Sequence, residues 1–199
     1  MSQTTTQPQS PGPTIDPIPE GLAERASLLG GPEGVLSDEQ IRGFVAEQLA
    51  AQDLDGKSVC LIIPDGTRSV PLPKVLPAIH DALAGRAASV TVLIALGTHA
   101  AMSEAAIDRL LGASEKGAAA TYPEWTVLNH AWDDPGQIAD LGEISAAQIA
   151  ELTGGLLTDI PMRVQINKLV VDSDVNLIVG PVFPHEVVGF SGGNKYFFP

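Results

Sequence analysis

Apolar positions along the chain follow two alternating patterns. Short continuous runs rich in β-branched residues are separated by stretches in which apolar residues return every three or four positions. Val59 to Ile63 is the first run, and its unbroken apolar character predicts a strand buried on both faces, as in a parallel sheet. Val90 to Ala95 is a second run and Trp125 to Leu128 a third, and Met162 to Ile166 and Val175 to Val179 read as further strands. The helical stretches lie between them. Ser37-Asp38-Glu39-Gln40 has the form of a capping box, with Ile41, Phe44, Val45 and Leu49 following at helical spacing, so a helix is expected from Ser37 to about Gln52. Pro73 can open a helix carrying Val75, Leu76, Ile79 and Leu83. Ser103 caps another, with Ile107, Leu110 and Leu111 on its inner face. Ser145 to Leu152 makes a short one. Strands alternating with helices predict an α/β domain, a Rossmann-like and mainly parallel sheet flanked by helices. It is expected over residues 21–199, behind a polar, proline-rich flexible tail at residues 1–20.

Composition narrows the function classes. With 199 residues, 44% of them hydrophobic, the chain can bury one real core. Eleven basic against 24 acidic side chains leave a net charge of −13. Such a chain repels phosphate backbones and anionic lipid, so nucleic acid and membrane surfaces are not expected as partners. The single cysteine, Cys60, sits inside the first apolar run, reads as a small buried hydrophobe, and cannot form a disulfide within the chain. No apolar stretch approaches the roughly 20 residues of a membrane span. The amino terminus lacks the charged start and apolar middle of a secretory signal, and a cytoplasmic location is expected.

Candidate chemistry falls just beyond the predicted strands, where ligands of open α/β sheets bind. Asp65-Gly66-Thr67-Arg68 follows one strand. Gly66 permits a tight turn, Thr67 and Arg68 can donate to a phosphate or carboxylate, and Asp65 can orient Arg68 or accept from a ribose hydroxyl. Taken alone, the segment fits an ordinary turn with a local Asp–Arg pair equally well. His99 closes the loop Leu96-Gly97-Thr98-His99, where an imidazole can exchange protons at neutral pH. Pro184-His185 leads into Gly189-Phe190-Ser191-Gly192-Gly193-Asn194-Lys195. Its paired glycines allow close approach of a bulky ligand, and Lys195 can meet an anion or act as an amine nucleophile. The segment lacks the spacing of a P-loop, so nucleotide hydrolysis is not implied. His80 reads as a structural residue on a helix, and His130 follows a strand and could face the same crevice.

Taken as an ordered set, Asp65 to Arg68, Gly97-Thr98-His99, Pro184-His185, and Gly189 to Lys195 followed by Pro199 resemble the lactate racemase family. Ile166 to Val170 and Asp174 to Gly180 fit as well. The likeness runs from about Val59 to Pro199. It implies the amino-terminal, cofactor-holding domain of a two-domain racemase or epimerase acting on a 2-hydroxy acid. The implied cofactor is a nickel-pincer nucleotide, a pyridinium bisthiocarboxylic acid mononucleotide that grips nickel through sulfur, carbon and sulfur. By resemblance, Asp65, Gly66, Thr67 and Arg68 hold this nucleotide, Lys195 is the lysine that can carry it covalently, and Pro199 touches it. His99 and His185 are the implied acid–base pair, one for each face of a planar 2-keto acid formed when hydride leaves the α-carbon. No residue here is expected to ligate nickel, the family's histidine for that task lying beyond position 199. The cofactor-synthesis enzymes are the implied protein partners. Ser69 departs from the proline often found there. With the family's remaining residues falling beyond Pro199, these 199 residues alone are expected to be inactive. A different class of function, a non-catalytic α/β module binding a nucleotide or phosphate sugar, fits the same turns.

Overall fold

The computed structural model describes residues 26–187 and 189–197. The expected tail at residues 1–20, and Pro199, lie outside the described residues. From Leu36 onward the chain forms one compact unit. Its first helix, α1 (Asp38–Ala50), starts at the expected capping box. The Ser37 hydroxyl accepts from the Gln40 N–H at 3.2 Å, and the Gln40 side chain accepts from the Ser37 N–H at 2.9 Å. Next come β1 (Ser58–Pro64), α2 (Leu72–Leu83), β2 (Ser89–Ala95), α3 (Glu104–Leu111), the single turn α4 (Ala118–Thr121) and β3 (Trp125–Asn129). Helix α2 begins one residue before Pro73, which occupies its first turn, where a missing N–H costs nothing.

The main sheet has the order β3-β2-β1-β6, with β6 at Val175–Ile178, and every pairing is parallel. Alternation along β1 splits its side chains between two cores. Val59, Leu61 and Ile63 face α1, α2 and α3 and pack with Leu72, Leu76, Leu83, Val92 and Ile94. Cys60 and Ile62 face the other way, with Leu93, toward Leu169, Val170, Tyr196 and Phe197. The first core is the larger and holds the helices to the sheet. The second is thinner, and the cavity described below opens beside it.

The predicted strand at Met162 to Ile166 forms, but outside the parallel sheet. As β5 (Met162–Asn167) it pairs antiparallel with β4 (Ile138–Ile144) in a two-stranded sheet, with α5 (Ala146–Leu152) between the two strands in the chain. Its sequence gives the reason. Met-Arg-Val-Gln-Ile-Asn alternates apolar and polar residues, the pattern of a strand with one face in water, whereas β1 and β2 are apolar on both faces. Helix α6 (Lys168–Asp172) follows β5 directly. Past β6, a short hairpin of β7 (Phe183–His185) and β8 (Gly189–Ser191) runs into a 3₁₀ turn at Gly193–Tyr196.

Candidate functional site

The carboxyl ends of β1 and β2 give out into two polar turns that meet. In the first, Asp65 is buried, and its Oδ1 accepts from the Thr67 N–H at 3.0 Å and from the Thr67 hydroxyl. This closed turn leaves Oδ2 facing the second loop, where it lies 2.6 Å from His99 Nδ1. Burial alone would raise the Asp65 pKa, but the hydrogen bonds from Thr67 and His99 outweigh it and hold the carboxyl below its usual range. An ionised Asp65 has only lone pairs to offer, so His99 must donate from Nδ1. The lone pair of that imidazole is then on Nε2.

The loop bearing His99 is clamped from β3. The Asn129 side chain accepts from the Met102 N–H and donates to the Met102 carbonyl, both at 3.0 Å. This pair of bonds does for the loop what a ladder does for a strand, and it fixes the segment just after His99. The Gly66 N–Cα unit sits inside the first turn, where an added Cβ would meet only the Met102 methyl at 3.8 Å.

These turns open on a cavity of about 650 Å³. Asp65, Thr67, Arg68, His99 and Lys195 all line it. Ile62, Leu93 and Val170 form an apolar wall, and Tyr196 and Phe197 stand at the Gly-rich side. Burial raises the Tyr196 pKa, the Arg68 charge opposes that, and the Asp65 charge adds to it, so all three groups share one field. Gly192 shows why the loop needs glycine. Its φ is +83°, and a Cβ there would fall 1.9 Å from the Pro181 carbonyl oxygen.

Of the residues expected from sequence, the structure brings together Asp65, Thr67, Arg68, His99 and Lys195. His185 is not among the residues lining the cavity. It stands on β7, where its Nδ1 accepts from the Val187 N–H at 3.2 Å. His80 is not among the residues lining the cavity; it lies 3.1 Å from Glu124 and edge-on to Trp125, with ring centroids 5.4 Å apart. His130, which the sequence placed after a strand, does line the cavity, with Trp132 of the loop that follows and Gln165 and Asn167 of β5; the sequence patterns singled out neither Trp132 nor Gln165. Asn167 could have been noticed as the polar residue between a strand pattern and Lys-Leu-Val-Val, the position of a helix cap. Among the described residues no three His, Cys, Asp or Glu side chains gather as a metal-binding group, and no helix is long and apolar enough to cross a membrane.

Comparison with known proteins shows the family of the chain. Residues 44–199 match the family model described as the lactate racemase N-terminal domain. Over 145 residues, 72% of this chain, it is 29% identical to a lactate racemase of Thermoanaerobacterium thermosaccharolyticum. A crystal structure of a Thermotoga maritima protein superposes over 86% of this chain with a TM-score of 0.70 and 26% identity. The chain spans 29% of the length of the first relative and 39% of the second. With the matched family covering most of its length, the chain belongs to the lactate racemase N-terminal domain family.

Proposed function

We propose that this chain is the cofactor-holding part of a racemase or epimerase acting on a 2-hydroxy acid. The observation that carries the reading is the Asp65–His99 pair at 2.6 Å, an oriented base on the same cavity as Arg68 and Lys195. The donor set suits a nickel-pincer nucleotide. Arg68 can meet its phosphate from the turn that Thr67 closes on Asp65, Lys195 can meet an anion or carry the group covalently, and Ile62, Leu93 and Val170 offer an apolar wall to a ring. A cavity of about 650 Å³ is in the size range of small-molecule sites. Nickel would come with the cofactor, and any protein ligand to it from outside this chain.

When bound, the group supplies an acceptor for hydride from the substrate α-carbon. The chain's own residues handle protons. His99, holding its Nδ1 proton on Asp65, takes the hydroxyl proton of one enantiomer at Nε2, and protonates the ketone oxygen only when the opposite enantiomer is the substrate. A planar ketone has two faces, and His185 serves the other one. It sits on the β7–β8 hairpin, opposite Gly189, while Ser191 at the near end of that hairpin lines the cavity.

The test uses the whole gene product loaded with cofactor, mixed with each pure enantiomer in turn. His99→Ala or His185→Ala should each block net racemisation in both directions, with a loss of about 10²–10⁴ in rate. Lys195→Ala in the same preparation should lose any cofactor adduct seen by intact mass under denaturing conditions. Racemisation near the wild-type rate in either histidine variant makes that histidine structural. Cofactor binding without turnover of any 2-hydroxy acid favours a non-catalytic binding module.

A further inference from the structure

The cavity holds a second oriented imidazole, and its orientation is opposite to that of His99. The chain leading to His130 is an extension of β3, and its own N–H donates to the Ile94 carbonyl at 3.1 Å, fixing the backbone to β2. Its Nδ1 lies 2.9 Å from Asn167 Nδ2. An amide can be read either way round, but here a third group decides. Asn167 is the cap of α6, and its Oδ1 accepts from the Leu169 N–H at 2.9 Å. A backbone N–H can only donate, so the oxygen end is taken and the NH₂ end faces His130. An NH₂ can only donate, so His130 Nδ1 must accept. The proton of the neutral ring is therefore on Nε2. An imidazolium would set one N–H against another at this distance, so the contact itself favours the uncharged ring. Burial acts in the same direction and lowers the His130 pKa.

Asn167 is 7% exposed and held at both ends, so this is a rigid arrangement. Among the described residues nothing hydrogen-bonds to His130 Nε2, and His130 lines the cavity. We propose that His130 is an uncharged hydrogen-bond donor of this cavity, offering Nε2–H to a carboxylate or carbonyl oxygen of the bound small molecule, and that Asn167 is the positioning residue that fixes the ring in that form. The inference rests on the reading of this cavity as a small-molecule site. It adds a division of labour, in which His99 presents a lone pair to one part of the ligand and His130 a proton to another. A donor that stays neutral discriminates by geometry, since it rewards an oxygen placed on its axis and does not attract anions from a distance.

The experiment follows the His130 ring nitrogens by ¹⁵N–¹H correlation spectroscopy, with and without nicotinic acid mononucleotide, whose affinity is measured by calorimetry on the same chain. The expected result is a protonated Nε2 and bare Nδ1 at neutral pH, with the Nε2–H resonance moving as the probe binds. Asn167→Asp keeps the helix cap but turns an acceptor toward Nδ1. It should move the proton to Nδ1 and weaken probe binding about 3–10-fold, the worth of one hydrogen bond. His130→Gln, whose terminal NH₂ reproduces the donor, should bind within about twofold of wild type by the same reasoning. An Nδ1–H or charged His130, or an Asn167→Asp chain that binds equally well, overturns the inference. Binding that depends on Arg68 but leaves the His130 resonance unmoved removes this inference and spares the functional proposal. Absence of any binding by the wild-type chain removes both.

Discussion

Asp65 and Asn167 differ by one atom type at the side-chain terminus, and each dictates the state of the histidine it touches. The carboxylate forces His99 to donate from Nδ1, and the amide forces His130 to accept there. Exchanging the two chemistries therefore predicts a specific failure. In Asp65→Asn, the Thr67 N–H still needs an acceptor and will hold the amide oxygen, as it now holds Oδ1. The NH₂ end then faces His99, which must accept at Nδ1 and carry its proton on Nε2. The ring remains in place but has lost its lone pair toward the cavity. Turnover by the whole gene product should fall about 10²–10⁴-fold, while the melting temperature changes little. A variant that keeps wild-type turnover would show that Asp65 does not set the state of His99. Sequence reading found Asp65 because it lies in a short turn after a strand. It could not find the pairing with His99, which joins residues 34 positions apart and depends on the register of β1 against β2.

At the scale of elements, the strands of the parallel sheet and their helices could be read because each has a strong local pattern. Val59 to Ile63 and Val90 to Ala95 are too apolar to be anything but buried, and Ser37 and Ser103 mark helix starts through their own hydroxyls. The antiparallel strand β4, Ile-Ala-Asp-Leu-Gly-Glu-Ile, has no such pattern, because a bulge between Asp140 and Gly142 breaks the alternation. The β7–β8 hairpin has three-residue strands, one holding a proline, below the length at which periodicity carries information. Ile138 and Ser191 of the cavity wall come from these weakly patterned segments, so the strands that carry them could not be placed in advance. The end of α3 illustrates a different limit. Gly112 is a left-handed cap with φ 63°, a role glycine suits anywhere. Its second role is tertiary, for an added Cβ would lie 2.5 Å from the Pro73 Cβ at the start of α2. Gly112→Ala should therefore cost more than the usual cap penalty. We expect about 2–4 kcal/mol by denaturant unfolding, combining the left-handed conformation with a clash between two elements. A loss of about 1 kcal/mol, the conformational part alone, would mean that α2 and α3 shift apart freely.

For the molecule as a whole, the depressed pKa values of His130 and Asp65, the two such groups among the described residues of the cavity, make acid a destabilising condition in two stages. His130 binds its proton less readily folded than unfolded, so stability is complete above the unfolded value of about 6.5 and erodes as pH falls below it. Asp65 is also depressed, so its contribution is complete above about 4 and is lost as pH falls through its lower folded value. The melting temperature of wild type relative to His130→Phe isolates the first stage, because the remaining charges are common to both chains. That difference should shift against wild type between about pH 6.5 and 5. A difference independent of pH would show that His130 titrates normally. The second core carries a further consequence. Cys60 is wholly shielded between sheet and α6 side chains, and burial pushes its thiol up to about 11. It is also the chain's single sulfhydryl. An alkylating reagent at neutral pH can reach it only when the centre of the sheet comes apart, so the rate of labelling counts openings of the whole domain. Any molecule that settles against Ile62 and Leu93 slows that count in proportion to its occupancy. The protein thus contains its own clock for ligand capture, readable by mass alone, whatever the ligand's colour or chemistry.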